Sequence, residues 1–145
     1  MKSTWNRRLL QIGVALAALD ALAGGSIYLA TGLHGLRLTG SPVAPDPSDP
    51  AWAAVDYLFR ALAGIWFSLG LMFAWMIPAI ERHTAWFRLA YGAVFAMGLG
   101  RLFSVAAYGT GANPLIALIL ELIIPPLLIL WQTKVARDAK IEVPP

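Results

Sequence analysis

The sequence contains no cysteine, only two histidines, and charged residues at 13% of its 145 positions. The missing cysteine excludes disulfides, thiolate zinc sites and thiol nucleophiles. His34 and His83 fall in different connecting segments, expected on opposite sides of a membrane, so they do not share a metal. No pair of carboxylates or histidines has ligand spacing, no serine has a histidine nearby in sequence, and no glycine-rich phosphate loop follows a strand pattern. Ser26, Ser68 and Ser104 therefore read as helix-packing serines, and the chain as non-enzymatic, without cofactor or metal.

What is abundant is apolar. Hydrophobic residues make up 59% of the chain and its mean hydropathy is +0.67. A soluble domain is about half apolar and about one quarter charged, so this composition belongs in a bilayer. The formal charge of +3 and the pI near 9.6 invite a nucleic-acid reading. The distribution of the basic residues argues against nucleic acid and fits a membrane topology signal instead.

Four apolar runs can be bounded, giving helices over about 9–31, 51–77, 86–108 and 114–133 in a single integral membrane domain covering 1–145. The first follows Lys2, Arg7 and Arg8. The basic start, Leu9–Leu19 and the Ala21-Leu22-Ala23 triplet also fit a cleaved signal peptide. The run continues through Leu29, however, and about 23 apolar residues suffice for a span, so we read an uncleaved helix. From Gly32 to Pro50 the chain carries Gly32, Gly35, Gly40, Pro42, Pro45, Pro47 and Pro50, the expected long outer loop. Asp49-Pro50 then supplies an N-cap and a first-turn proline for the second helix, which Pro78 closes. Gly109-Thr-Gly-Ala-Asn113 is the expected turn before Pro114 opens the fourth.

Orientation follows from the flanks. Lys2, Arg7, Arg8, Arg82, Arg88, Lys134, Arg137 and Lys140 lie on one side and only Arg37 on the other, eight against one. That asymmetry puts both termini in the cytoplasm; the membrane we expect is a bacterial inner membrane. Trp52, Tyr57, Trp86, Tyr108 and Trp131 sit near the ends of spans, where an aromatic belt would place them.

Five ionisable residues fall inside the spans: Asp20, Asp56, Arg60, Arg101 and Glu121. Each costs about 2.5–3.5 kcal/mol at a helix centre, so each needs a partner. Counting about 1.5 Å per residue, Arg101 and Glu121 both lie roughly 10 Å from the outer ends of their helices. Asp56 and Arg60 have the i, i+4 spacing of an ion pair and share a stripe with Gly64 and Ser68. Met97, Arg101, Ser104 and Tyr108 form another stripe. Gly13, Ala17 and Gly24 flank Asp20, and Gly92, Ala96 and Gly100 lie beside Arg101, small-residue rows that let helices approach closely. Pro125 removes the donor for the Glu121 carbonyl. We therefore expect Arg101 to satisfy both the carboxylate and that carbonyl, Arg60 to pair with Asp56, and Asp20 to serve as shared acceptor. These residues, with Ser104, form the candidate polar cluster, structural or ligand-binding.

Arg60-Ala-Leu-Ala-Gly-Ile-Trp66, Gly100-Arg-Leu-Phe-Ser104, Gly109, Pro114, Glu121 and the early Gly32-Leu-His-Gly-Leu36 resemble a bacterial four-helix membrane family of unknown function, over about Leu22 to Leu128. More distantly, Ala61–Trp66 and Tyr108-Gly-Thr110 with Pro114 are similar to the small four-helix scaffold of ergosterol synthesis, which tethers sterol-modifying enzymes at the membrane. The long proline-rich loop and Gly100-Arg101 depart from that scaffold. The resemblance implies a non-catalytic adaptor or assembly factor. A binder of a lipid-like or small polar ligand stands beside it. The alternative is a small multidrug-type or proton-coupled transporter subunit, in which Asp20 would act as the intramembrane carboxylate. Expected partners are the bilayer and either a membrane protein or a lipid-like ligand.

Overall fold

The computed structural model describes residues 2–38, 46, 48–109 and 114–141. Among them every regular element is helical: α1 (Lys2–Thr31), a 3₁₀ turn (Gly32–His34), α2 (Gly35–Leu38), α3 (Pro50–Met76), a second 3₁₀ turn (Ile77–Ala79), α4 (Thr84–Tyr108) and α5 (Pro114–Ile141). Four segments are long and apolar enough to cross a membrane: Thr4–Leu38, Pro50–Ala79, Thr84–Tyr108 and Leu115–Ile141. This is an all-α membrane protein.

Local chemistry explains most boundaries. Asp49 caps α3, its Oδ1 accepting the Ala51 N–H at 2.9 Å and its carbonyl the Trp52 N–H at 3.0 Å. Pro50 takes the first helical position, where no donor is needed. α4 ends at Gly109, whose φ of 79° suits glycine and whose N–H closes on the Val105 carbonyl at 2.8 Å. The expected turn over 110–113 lies outside the described residues.

Three boundaries differ from the sequence reading. α1 begins at Lys2 rather than near residue 9, because polar side chains in its first three turns are anchored. Arg7 Nη2 donates to the Pro78 carbonyl at 2.8 Å and Gln11 Nε2 to the Ile77 carbonyl at 2.7 Å, and Arg7 Nε lies 3.0 Å from Glu81 Oε2. α5 runs to Ile141 rather than 133. Val135 and Ala136 are buried, and Gln132, fully buried, donates to the Ile80 carbonyl at 2.9 Å and to Thr84 Oγ1 at 3.0 Å. Packing continues past the point where hydropathy stops. Residues 32–38, expected as loop, are helical after a kink at Gly32.

The chain forms two compact units, residues 1–13 with 76–145 and residues 14–75. In the second, α1 and α3 meet through glycine. A Cβ on Gly25 would lie 2.8 Å from the Phe67 backbone, and one on Gly70 would lie 2.9 Å from the Leu22 backbone N. Tyr28 packs edge-on against Phe59 at 5.1 Å. In the first unit, the Phe87 and Tyr91 rings lie tilted 4.6 Å apart, Ala90, Val94 and Val135 are buried, and α4 and α5 close where a Cβ on Gly98 would meet Glu121 and Leu122 at 2.9 Å. The small-residue rows singled out from spacing are not these contacts. Gly13, Gly64, Gly92 and Gly100 have no neighbour that an added Cβ would touch, and Gly24 has only the Trp66 indole at 3.8 Å.

Gly25→Ala should therefore destabilise by about 1–3 kcal/mol, because backbone cannot yield as a side chain can. Gly92→Ala should be neutral or slightly stabilising. Melting temperatures of the purified variants in one detergent check the contrast, and equal losses would disprove it.

Candidate functional site

A helix leaves its last four carbonyls without intrahelical donors, and in an apolar environment those groups must be satisfied by protein. α1 ends in Gly32, in the left-handed region at φ 57°. Across from it, Arg60 on α3 points its guanidinium at the helix end. Nη1 donates to the Leu29 carbonyl at 2.8 Å and the Ala30 carbonyl at 3.0 Å. Nε donates to Asp56 Oδ2 at 2.6 Å, one turn earlier on the same helix. Asp56 Oδ1 in turn accepts the Leu33 N–H at 2.7 Å. Thr31 Oγ1 closes on the Ile27 carbonyl at 2.7 Å. A Cβ on Gly32 would overlap Asp56 Oδ1 and the Arg60 guanidinium, so this position requires glycine for space as well as for φ. The Asp56–Arg60 pair is the C-terminal cap of α1.

Beside the cap lies an open cavity of about 200 Å³ lined by Leu33, His34, Asp46, Trp52, Ala53, Asp56 and Arg60. Asp46 Oδ1 accepts the Ser48 hydroxyl at 2.7 Å and the Ser48 N–H at 2.9 Å. Those donors, the hydroxyl first, hold its carboxyl below the ordinary value.

The other pair belongs to the unit containing α4 and α5. Arg101 Nε lies 2.7 Å from Glu121 Oε2. Glu121 is 9% exposed, whereas half of the Arg101 side chain is uncovered. The contact is one of charge rather than an aligned hydrogen bond. Among the described residues Arg101 does not reach the Glu121 carbonyl, as Pro125 had led us to expect. No residue of α4 beyond Gly98, and no described side chain of α5 before Glu121, is buried. Beyond the pair the described residues are at most half-buried, as Val105, Ala117 and Leu118 are.

The structure thus brings Asp56 to Arg60 and Arg101 to Glu121, in different units that are each described by themselves. Asp20 joins neither. It is exposed, and among the described residues no hydrogen bond or ion pair reaches it, so its role as shared acceptor is corrected. A carboxylate on a helix apolar all round can face any direction, and four-residue spacing cannot choose one. Ser104 is exposed and, among the described residues, bonded to nothing. Ser68, by contrast, donates to the Gly64 carbonyl at 2.8 Å.

Sequence reasoning missed the part played by Gly32 in the cap, and the anchors Gln11 and Gln132. An amide in an apolar run is a signal that could have been counted, since it must find acceptors there. Among the described residues no group of His, Asp and Glu is placed to hold a metal.

A family model matches residues 9–132, under the description Domain of unknown function (DUF4345). The chain belongs to this family. No curated protein and no solved structure matches it. The DUF4345 match spans the Asp56–Arg60 and Arg101–Glu121 pairs, the Gly32 cap and the buried Gln132.

Removing the guanidinium in Arg60→Ala should cost about 2–3 kcal/mol, since two carbonyls and one carboxylate lose a donor. Arg60→Lys should recover little of it, because a single ammonium cannot reproduce the fork. Melting in detergent measures both; full stability in either variant would show that the cap is dispensable.

Proposed function

We propose that this chain is a non-enzymatic adaptor or assembly factor of a bacterial inner membrane, with both termini cytoplasmic, engaging a helix of another membrane protein through the Gly109 end of the α4–α5 hairpin. The observation that carries this reading is the guanidinium of Arg101, whose side chain is half uncovered. It lies about 10 Å inside its span by helical rise and beside bare Gly100. Lipid tails leave such a group unsatisfied, whereas a partner helix offering a hydroxyl, amide or carboxylate would satisfy it, and Gly100 would let that helix come close. Ser104, three residues on from Arg101 and four from Gly100, is exposed on the same face of α4 and would lie at this contact. The eight-to-one distribution of basic residues supports the orientation.

A photoreactive residue placed at Ser104 in growing cells should give a discrete protein adduct that Arg101→Ala abolishes. The same probe at the exposed Leu130 should give lipid adducts only. Lipid adducts alone at both positions would contradict the adaptor reading. The absence of native cysteine makes single-cysteine labelling clean, so an impermeant maleimide on spheroplasts should reach Ser48→Cys and spare Lys140→Cys; the reverse pattern would invert the topology.

A further inference from the structure

We propose that the cavity beside the α1 cap binds an organic ammonium group, primary or quaternary. The lining separates into spent and unspent groups. Both Asp56 oxygens are taken, one by the Leu33 N–H and one by Arg60, and Arg60 Nε and Nη1 are taken in return. That pair neutralises itself. Among the described residues the groups left over are Asp46 Oδ2, the Trp52 indole, the His34 imidazole and Arg60 Nη2. The acidic and basic side chains of the lining are Asp46, Asp56 and Arg60, two carboxylates against one guanidinium.

A carboxylate beside an indole is the combination that attracts an ammonium: Coulomb attraction from one side and the ring quadrupole from the other. An anion would meet the Asp46 carboxylate and an arginine already committed to three acceptors. The Ser48 donors keep Asp46 ionised at neutral pH. Size narrows the ligand further. Drug-sized molecules occupy pockets of about 300–1,000 Å³, whereas about 200 Å³ suits a head such as ethanolamine or choline. Position agrees, since Asp46 precedes the α3 span and Trp52 stands in its first turn, at the level of lipid headgroups. Two sources share this chemistry: the head of a zwitterionic phospholipid or a free amine.

The test uses the full chain, purified in a non-ionic detergent and also in nanodiscs made from equal parts phosphatidylethanolamine and phosphatidylglycerol. Titration with choline and with ethanolamine, followed by ligand-observed NMR, reads the free amine. Native mass spectrometry of protein released from the nanodiscs reads retained lipid. We expect saturable amine binding, or retention of phosphatidylethanolamine over phosphatidylglycerol, weakened about tenfold by Asp46→Asn and by Trp52→Ala. Amine binding identifies the soluble source; lipid retention without it identifies the headgroup. Asp46 is exposed and lies before α3, so Asp46→Asn reports on binding even if Trp52→Ala folds poorly. No amine binding with no lipid preference, preference for phosphatidylglycerol, or binding unchanged in Asp46→Asn would each overturn the proposal.

Discussion

A helix that ends inside or at the edge of a bilayer must have its last carbonyls satisfied by protein, and in this chain one guanidinium meets that requirement. Arg60 reaches from α3 to the Leu29 and Ala30 carbonyls while Asp56 takes the Leu33 N–H. Much follows from that contact. Gly32 must lack a side chain so that the carboxylate and guanidinium can lie against its backbone. The chain can then turn through Gly32–His34 and resume helix at Gly35. The two charges, costly alone in an apolar span, compensate each other and spend their hydrogen bonds on backbone. The same cap forms part of the wall of the neighbouring cavity, whose lining holds two carboxylates against one guanidinium.

Arg101 shows the opposite solution to the same problem. It too has a carboxylate, but Glu121 is nearly buried whereas the Arg101 side chain is half open, and towards Gly109 no described residue of either helix is fully buried. Arg60 spends its donors on a helix end; Arg101 keeps most of them. That difference, between a charge consumed by architecture and one left over, separates the structural pair from the candidate docking pair.

The spans, the Asp49–Pro50 start of α3 and the Gly109 end of α4 were legible because each rests on local chemistry: hydropathy over a helix length, a cap acceptor, a positive φ. The i, i+4 spacing of Asp56 and Arg60 carried their contact for the same reason. The extensions of α1 and α5 were not legible, since they depend on Arg7, Gln11 and Gln132 finding carbonyls about 50 to 70 residues away in sequence. Small-residue rows misled because a helix apolar on every face has no pattern telling which row packs. Gly25, Gly70 and Gly98 make the close approaches, while the more regular Gly92–Ala96–Gly100 row stays bare at both glycines. Asp20 failed similarly: its cost in lipid is certain, its direction is not encoded locally.

The central claim is that Asp56 and Arg60 close α1, and amide hydrogen exchange at Leu33 addresses it directly. Its N–H has Asp56 Oδ1 as acceptor, so the wild-type protein in detergent should exchange slowly there, and Asp56→Ala should exchange at least about tenfold faster at Leu33 with little change at mid-helix amides of α1. Fast wild-type exchange at Leu33, or protection that survives Asp56→Ala, would contradict the account.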